Sequence, residues 1–318
     1  MKTGYIKSAS GNIPMSKIVL GCCYYGNDIS RNDAFNLLDK YYYYGGRTLD
    51  TARVYGLNSA GFSVSELTLG EWISLRGVRN EITLVSKGGH PPIGDMTHSR
   101  LDRESILSDC DASLRDLSTD RIDVYFLHRD DENLPVEGIM DTLHELVSSG
   151  RVRAIGASNW SLDRILEANS YAEKAGKTPF TVSQIQWSLA KCTSESWGDK
   201  TLVCMSDNEY SRYIDAGIPV MAFSPQAKGL FSKYIAGGEE ALNDKIRSRF
   251  LNSENLRRIE NVRALSERSG YSPAAVALSY ITCNRLDGYP IVGCSNIEQL
   301  EDSLSAGLID IEPDILLK

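Results

Sequence analysis

Residues 122–158 read IDVYFLHRDDENLPVEGIMDTLHELVSSGRVRAIGAS and contain the pattern from which the fold can be inferred. The two ends, Ile122–His128 and Val152–Ser158, are nearly all apolar in their interiors, as expected for parallel strands covered on both faces. Between them, apolar residues recur at i, i+3, i+4 and i+7, the spacing of a helix that buries one face. Pro135 is placed in the first turn of this helix and Gly150 just past its end. The stretch therefore predicts a strand–helix–strand unit.

The same alternation continues along the chain in both directions. Eight runs are predicted as strands: Lys17–Cys22, Arg47–Thr51, Ile82–Lys87, Ile122–His128, Val152–Ser158, Thr181–Gln186, Ile218–Ser224 and Tyr289–Ser295. Such alternation indicates a parallel sheet, either doubly wound or closed into a barrel. The first strand ends in GCCYYG (residues 21–26) and not in the GxGxxG of a dinucleotide-binding open sheet. Eight units favour an α/β fold of the closed (β/α)8 type, the TIM barrel, as one domain over residues 1–318.

Several shorter features complete the predicted architecture. An amino-terminal β-hairpin over Tyr5–Ile13 is expected to close the bottom of the barrel. Two stretches, Trp187–Val203 and Gln226–Asn252, are interpreted as long mouth-side loops, and loops of that length are usually functional. Ser272-Pro273 predicts a capped helix start, and Ser295-x-x-Glu298 has the spacing of a capping box.

Composition and charge exclude several classes of function. The 318 residues include 34 Lys and Arg against 42 Asp and Glu, a net charge of −8. The clustered basic charge that nucleic acids and anionic membrane surfaces need is therefore not expected. No segment approaches the ~18 apolar residues of a membrane span, and no signal-peptide run is found. The seven cysteines lack metal-ligand spacing, which predicts free thiols, no metal site and a cytoplasmic location.

Polar residues interrupt the apolar strands at their carboxyl ends, where a barrel forms its active site. Asp50, Lys87 and His128 hold such positions, and Tyr55 lies in the loop after Asp50. Reduction of a carbonyl needs a proton for the oxygen, and a phenol with a pKa near ~10 is a sluggish acid at neutral pH. The Lys87 ammonium is expected to lower the pKa of Tyr55, while Asp50 holds Lys87 in place. His128 is expected to donate a hydrogen bond to the substrate oxygen or to relay the proton.

Each of these four residues also has an ordinary structural interpretation when it is taken alone. An Asp before a turn is usually a cap, and a Lys after a strand is usually solvated. Their joint position at one end of one barrel favours a catalytic site. A hydrolase or isomerase that uses Asp50 and His128 is an alternative, but it leaves Tyr55 and Lys87 unexplained.

Six segments resemble the aldo-keto reductase superfamily. They are Leu49–Gly56 (LDTARVYG), Val85–Lys87 (VSK), Tyr125–His128 (YFLH), Gly156–Asn159 (GASN), Val220–Pro225 (VMAFSP) and Ile291–Leu300 (IVGCSNIEQL). The chain is similar to bacterial-type oxidoreductases near the aryl-alcohol dehydrogenase and potassium-channel β-subunit branches. The resemblance implies reversible, nicotinamide-dependent reduction of a small-molecule aldehyde or ketone. It also implies an alternative, a redox-sensing or regulatory subunit that binds the cofactor and turns over slowly.

The resemblance further implies roles for individual residues. Tyr55 is implied as general acid, Asp50 and Lys87 as the pair that tunes it, and His128 as the group that orients the substrate. The nicotinamide half of the cofactor would be held by Asp50, Ser158, Asn159, Gln184 and a stacking Phe223. The pyrophosphate would be lined by Ser224, Pro225, Gly229 and Lys233. Cys22 would lie near the cofactor, although a buried structural thiol is an equal interpretation.

The choice of nucleotide depends on the adenosine end of that site. Many relatives have a basic pair where this chain has Gly293 and Gln299. Another branch uses a pattern like the one here, with Ser295, Gln299 and the acidic Asp302 around the adenosine. Ser295 at a helix amino terminus can hold a phosphate through backbone amides, and Arg249 can add a charge. NADP(H) is therefore favoured, with NAD(H) as the alternative.

Overall fold

Eight parallel strands close into a barrel, and two further strands form a separate hairpin. The structure is a computed structural model that describes all residues from Met1 to Lys318. The strands are β1 (Thr3–Ile6), β2 (Ile13–Ser16), β3 (Val19–Gly21), β4 (Thr48–Asp50), β5 (Thr83–Gly88), β6 (Ile122–Leu127), β7 (Val152–Ser158), β8 (Phe180–Gln186), β9 (Val220–Phe223) and β10 (Gly288–Val292). Strands β3 to β10 follow one another around the closed barrel, with β10 pairing back to β3. The predicted (β/α)8 barrel is confirmed, although several strands are shorter than predicted.

Helices follow the barrel strands and cover their outer faces. They are α1 (Arg31–Tyr43), α2 (Val64–Arg76), α3 (Arg103–Asp116), α4 (Val136–Ser148), α5 (Leu162–Ala175), α6 (Ser194–Trp197), α7 (Asp207–Ala216), α8 (Leu230–Gly237), α9 (Asp244–Phe250), α10 (Ser253–Ser269), α11 (Pro273–Thr282) and α12 (Ile297–Ser305). The helix predicted within residues 122–158 is α4. Its cap position is Pro135, so the proline precedes the first helical residue. Ser272 caps α11 and Pro273 opens it, as predicted.

The start of α12 differs from the predicted capping box. Asn296 is the cap residue, and its side chain accepts a hydrogen bond from the Gln299 backbone N–H at 2.9 Å. The Gln299 side chain in turn accepts from the Ser295 backbone N–H at 2.9 Å. The predicted pairing of Ser295 with Glu298 is wrong because the adjacent Asn296, an equally good cap residue, takes the position.

The β1–β2 hairpin covers the amino ends of the barrel strands. Ile6, Ile13 and Met15 are fully buried among the inward-facing side chains of the barrel. The Thr83 hydroxyl, at the start of β5, donates to the Pro14 carbonyl at 2.6 Å. Since the strands are parallel, the opposite, carboxyl ends form the open mouth. The predicted hairpin is confirmed, and it leaves one end of the barrel for a site.

The two stretches interpreted as long loops differ from each other in the structure. Residues 187–203 contain only the short helix α6. Residues 226–252, the other predicted mouth-side loop, contain the short helices α8 and α9. These helices have eight and seven residues, too few for a repeating apolar face to be recognised. No helix in the chain has both the length and the apolar character needed to cross a membrane.

Candidate active site

A buried ion pair lies where β4 and β5 end. The Lys87 ammonium donates to Asp50 Oδ1 at 2.7 Å and to the Thr51 carbonyl at 2.7 Å. The Gln184 amide, on β8, donates to the other carboxylate oxygen of Asp50 at 3.0 Å. Lys87 is 0% exposed and Asp50 is 3% exposed. Both charges are therefore removed from water, and both are satisfied by hydrogen bonds, the condition under which a buried pair is tolerated.

Tyr55 lies beside this pair, in a loop that is held to the barrel at several points. The Arg53 backbone N–H donates to the Lys87 carbonyl at 2.9 Å, and the Ser63 hydroxyl donates to the Tyr55 carbonyl at 2.8 Å. The centre of the Tyr55 ring is 5.0 Å from the Lys87 ammonium nitrogen and 5.7 Å from the centre of the His128 ring. The four residues that the sequence singled out are thus brought together at the mouth.

The protonation of Tyr55 differs from the sequence-based expectation. Burial raises the pKa of the phenol well above its ordinary value of 10.0, and repulsion from the Asp50 carboxylate adds to the effect. The expected lowering of the pKa is wrong because burial of the phenol outweighs the effect of Lys87, whose ammonium is already paired with Asp50. The Arg129 guanidinium acts in the opposite direction and lowers the pKa of Tyr55. Tyr55 is therefore a neutral phenol, which is the proton-donating form.

His128 follows β6 and is neutral for related reasons. Burial, with repulsion from Lys87 and Arg129, lowers the pKa of His128 well below 6.5. Its Nδ1 atom is buried and has no hydrogen-bond partner in the protein. The ring of His90 lies edge-on to it, with 4.8 Å between ring centres. His90 Nδ1 is 2.6 Å from the Pro91 carbonyl, so this nitrogen holds the ring proton and donates. His90 was not predicted as a site residue, although its place two residues after β5 puts it among the strand-end positions.

These residues open onto one cavity of about 850 Å³. Twelve of the residues implied for cofactor binding line it: Asp50, Ser158, Asn159, Gln184, Phe223, Ser224, Pro225, Gly229, Lys233, Gly293, Gln299 and Asp302. Tyr55 and His128 line the same cavity, and Lys87 lies beneath it through Asp50. The cavity therefore runs from the predicted catalytic group across the ends of β7 to β10.

Three of the residues implied for cofactor binding do not line the cavity. Cys22 is fully buried, and its thiol contacts the Leu20 carbonyl at 3.5 Å, consistent with the alternative of a structural thiol. The Arg249 guanidinium stacks on the ring of Trp197 at 4.2 Å. Ser295 is exposed, and its backbone N–H is already bonded to Gln299.

The backbone around the cavity contains unusual conformations. Asn159, Ser224 and Lys228 line the cavity and have φ values of 58°, 50° and 56°, in the left-handed region that non-glycine residues rarely occupy. Such strain is typically stored at functional sites. After Lys228, Gly229 leads into α8, whose first turn contributes Ser232 and Lys233 to the cavity wall. Successive backbone N–H groups in turn conformations form anion-binding concavities.

Lys228 itself was not predicted. Burial and repulsion from Arg249 lower the pKa of its ammonium, and no carboxylate lies close enough to offset them. The Lys233 ammonium donates to the Lys228 carbonyl at 3.2 Å, so two cations flank this part of the cavity. Lys228 as a residue is exposed at the cavity, its ammonium is partly desolvated, and it has no carboxylate partner, so its charge is available to an anionic ligand. Its position in an irregular turn gave no periodic signal in the sequence.

Comparison with known proteins identifies the family. The profile described as "Aldo/keto reductase family" matches residues 17–314. Norsolorinic acid reductase stcV of Emericella nidulans is 30% identical over 320 residues, which cover 95% of this chain and 76% of the relative. The oxidoreductase YrpG of Bacillus subtilis is 28% identical over 308 residues, covering 95% of this chain and 90% of the relative. AAD14 of Saccharomyces cerevisiae, named for the aryl-alcohol dehydrogenases, is 27% identical over 333 residues, covering 97% and 83%.

A solved structure is similar in fold. A thermostable aldo-keto reductase crystallised with the inhibitor epalrestat has a TM-score of 0.73 and 20% identity, covering 98% of this chain and 97% of that chain. At this identity the similarity supports the barrel alone. The family profile, in contrast, extends over nearly the whole sequence. The chain belongs to the aldo/keto reductase family and is an oxidoreductase enzyme for aldehydes or ketones.

Proposed function

We propose that the chain transfers hydride reversibly between NADPH and an aldehyde or ketone, with Tyr55 as the general acid and base. The observation that carries the proposal is the neutral Tyr55 phenol beside the Lys87–Asp50 pair and His128, on the wall of one elongated cavity. Members of the family use nicotinamide cofactors, most often NADP(H). When bound, the nicotinamide supplies hydride to the carbonyl carbon.

The cavity fits a dinucleotide in size and in its polar groups. Its volume of about 850 Å³ lies within the usual range of cofactor pockets, ~300–1,000 Å³. Gln184 uses its amide N–H on Asp50, which leaves its carbonyl oxygen free to accept from a carboxamide. Lys228 and Lys233 supply positive charge for phosphates beside the amino terminus of α8. Phe223 ends β9 between these two regions, where it can stack on a flat ring.

The order of strands divides the cavity into two halves. Apart from Asp50, the cofactor residues lie at the ends of β7, β8, β9 and β10 or after them, and these strands are consecutive in the closed barrel. Tyr24, Val54, His90 and Arg129 follow β3, β4, β5 and β6 and line the other half. We assign this second half to the substrate. Tyr55 and His128 belong to it, and Asp50 links it to the cofactor half through its hydrogen bond from Gln184, so the proton donor can lie beside both ligands.

The protonation states suit the reductive direction. Neutral Tyr55 can give its proton to the carbonyl oxygen as negative charge develops there. Neutral His128 can donate one ring N–H to the same oxygen, which orients the carbonyl without adding a second charge. The Lys87–Asp50 pair holds a fixed dipole beneath the phenol. In the oxidative direction the same phenol, once ionised, accepts the proton of the alcohol.

The rate of reduction is expected to be nearly independent of pH between 6.5 and 10. The pKa of Tyr55 is raised above 10.0, so the proton donor stays protonated as pH rises through this window. The pKa of His128 is lowered below 6.5, so the imidazole stays neutral as pH falls towards the lower limit. The measurement is kcat/KM for one aldehyde at saturating NADPH, with circular dichroism at each pH as the control for folding. A fall in kcat/KM centred between pH 7 and 9 would contradict the assignment of Tyr55 as the proton donor.

NADPH is expected to have a lower Michaelis constant than NADH. This expectation follows the family preference, because Lys228 and Lys233 lie where the pyrophosphate common to both nucleotides would bind. Neither Gly293 nor Gln299 supplies a cation at the adenosine end, so we expect a moderate preference. Steady-state kinetics with each nucleotide at a fixed aldehyde concentration measures the two Michaelis constants. A lower Michaelis constant for NADH would reverse the choice.

The proposed activity is tested by following NADPH absorbance with a panel of aldehydes and ketones. Steady turnover with at least one carbonyl compound supports a reductase. Tight nucleotide binding without turnover would overturn the proposal in favour of a regulatory subunit. Turnover that does not require a nicotinamide nucleotide would point to a hydrolase or isomerase.

A further inference from the structure

A nearly buried arginine lies in the substrate half of the cavity, directly after His128. The Arg129 side chain is 12% exposed and lines the cavity with Tyr55 and His128. Its Nη1 donates to the His128 carbonyl at 3.0 Å, and its Nε donates to the Thr201 hydroxyl at 3.1 Å. The backbone is also fixed, because the Trp160 indole donates to the Arg129 carbonyl at 3.1 Å. The guanidinium is therefore a rigid group of the cavity wall.

The charge of Arg129 is only partly neutralised by the protein. A guanidinium has five N–H groups, and two of them are used in the hydrogen bonds to His128 and Thr201. The nearest carboxylate oxygen, of Asp199, is 3.6 Å from Nη2, which is longer than a hydrogen bond. The other oxygen of Asp199 accepts from the Thr201 backbone at 3.0 Å and from its hydroxyl at 2.6 Å. Three N–H groups of Arg129 are left without a hydrogen bond.

No other group in this half of the cavity balances the charge. His90 and His128 are neutral in the pH range near 7, and the Val54 side chain is apolar. Two carboxylates line the cavity, Asp50 and Asp302. Asp50 is paired with Lys87, and Asp302, on α12, belongs to the cofactor half. Burial lowers the pKa of Arg129, and Asp199 offsets this only in part.

We propose that Arg129 is an anion-binding residue and that the preferred substrates are carbonyl compounds that bear a carboxylate. The inference rests on the proposed reductase function, because it assumes that the carbonyl lies at Tyr55 and His128. A planar guanidinium with free N–H groups binds a carboxylate through two parallel hydrogen bonds. A desolvated cation whose charge is only partly neutralised also gains more from such a partner than a solvated one does.

The contact acts on binding and not on the chemical step. The carboxylate is remote from the carbonyl, so Arg129 holds it equally in the ground state and in the transition state. Uniform binding of this kind lowers KM and leaves kcat unchanged. The subsite is therefore expected to give a charged substrate a lower KM than an uncharged substrate of the same shape.

Matched aromatic aldehydes test the proposal. The 2-, 3- and 4-carboxybenzaldehydes are compared with their methyl esters, each with NADPH in excess. For the isomer that fits, wild-type protein is expected to favour the acid over the ester by about 10- to 100-fold in kcat/KM, through KM. Arg129→Met is expected to bring this ratio close to one. Arg129→Lys is expected to retain part of it, because an ammonium keeps the positive charge but cannot form two parallel hydrogen bonds to a carboxylate.

A surface variant controls for the loss of one positive charge. Arg103 is exposed and paired with Glu145 on the outside of the barrel, so Arg103→Met removes a guanidinium far from the cavity. This variant is expected to keep the wild-type ratio of acid to ester. Because the readout is a ratio, a general loss of activity in Arg129→Met does not affect it.

The outcomes separate this inference from the proposed function. If the esters are reduced as efficiently as all three acids, the anion subsite is overturned while the reductase stands. If Arg129→Met keeps a wild-type preference for the acid, another residue binds the carboxylate and the assignment is wrong. If no aldehyde is reduced, the proposed function fails, and calorimetric binding of the same acids and esters to wild type and Arg129→Met still decides on the subsite.

Discussion

Replacing Tyr55 by Phe is expected to lower the turnover of an aldehyde by about 10²–10⁴-fold, the usual contribution of a positioned acid. The substitution removes one oxygen and keeps the ring that packs over Lys87 and against His128. Folding and cofactor affinity are therefore expected to change little, because the Asp50–Lys87–Gln184 network is left intact. The measurements are kcat with NADPH in excess and the dissociation constant of NADPH by fluorescence titration.

Tyr24 provides a matched control for this prediction. It is a second tyrosine on the wall of the same cavity, but it is 47% exposed, lies after β3 and makes no hydrogen bond to Asp50 or Lys87. Tyr24→Phe removes the same atom and is expected to retain most of the turnover. If Tyr55→Phe kept wild-type turnover, or if both variants lost it equally, Tyr55 would not be the proton donor.

The positions of the catalytic residues could be predicted because they break a regular pattern. Asp50 and Lys87 are ionisable residues at the ends of runs that are otherwise apolar, and a parallel barrel brings all such ends to one face. The helix α4 was recognised because it follows such a pattern, with apolar residues at a helical spacing that the fold imposes. Periodicity is a property of the sequence, so it can be found without coordinates.

The residues that were missed lie in segments without periodicity. His90, Arg129 and Lys228 are placed in the cavity by turn conformations, and Lys228 has a positive φ that a sequence does not reveal. The predicted direction of the pKa shift of Tyr55 was wrong for a different reason. The sequence names both Lys87 and Asp50 but gives neither their separation of 2.7 Å nor the burial of the phenol, and those two quantities decide the sign of the shift.

Replacing Lys87 by Met is expected to lower the free energy of unfolding by about 3–5 kcal/mol, the range for breaking a buried ion pair from one side. Methionine fills a similar volume, but it leaves the carboxylate of Asp50, which is 3% exposed, with the Gln184 amide as its remaining side-chain donor. An unpaired buried charge costs far more than the lost attraction alone. Urea denaturation, followed by circular dichroism, measures the change in the free energy of unfolding. Turnover is also expected to fall, because the ammonium next to the Tyr55 ring is lost.

The double variant Asp50→Asn with Lys87→Met distinguishes the charge effect from a packing defect. It removes both charges and keeps an amide oxygen that can accept from Gln184, so it is expected to be more stable than Lys87→Met alone. With the single variant Asp50→Asn measured as well, the coupling energy of the pair is the change in the double variant minus the sum of the changes in the two single variants, and it is large only for groups in contact. If the double variant is as unstable as the single one, the loss comes from the shape of the side chain at position 87. In that case the ion pair is held in place by the surrounding barrel and contributes little to its stability.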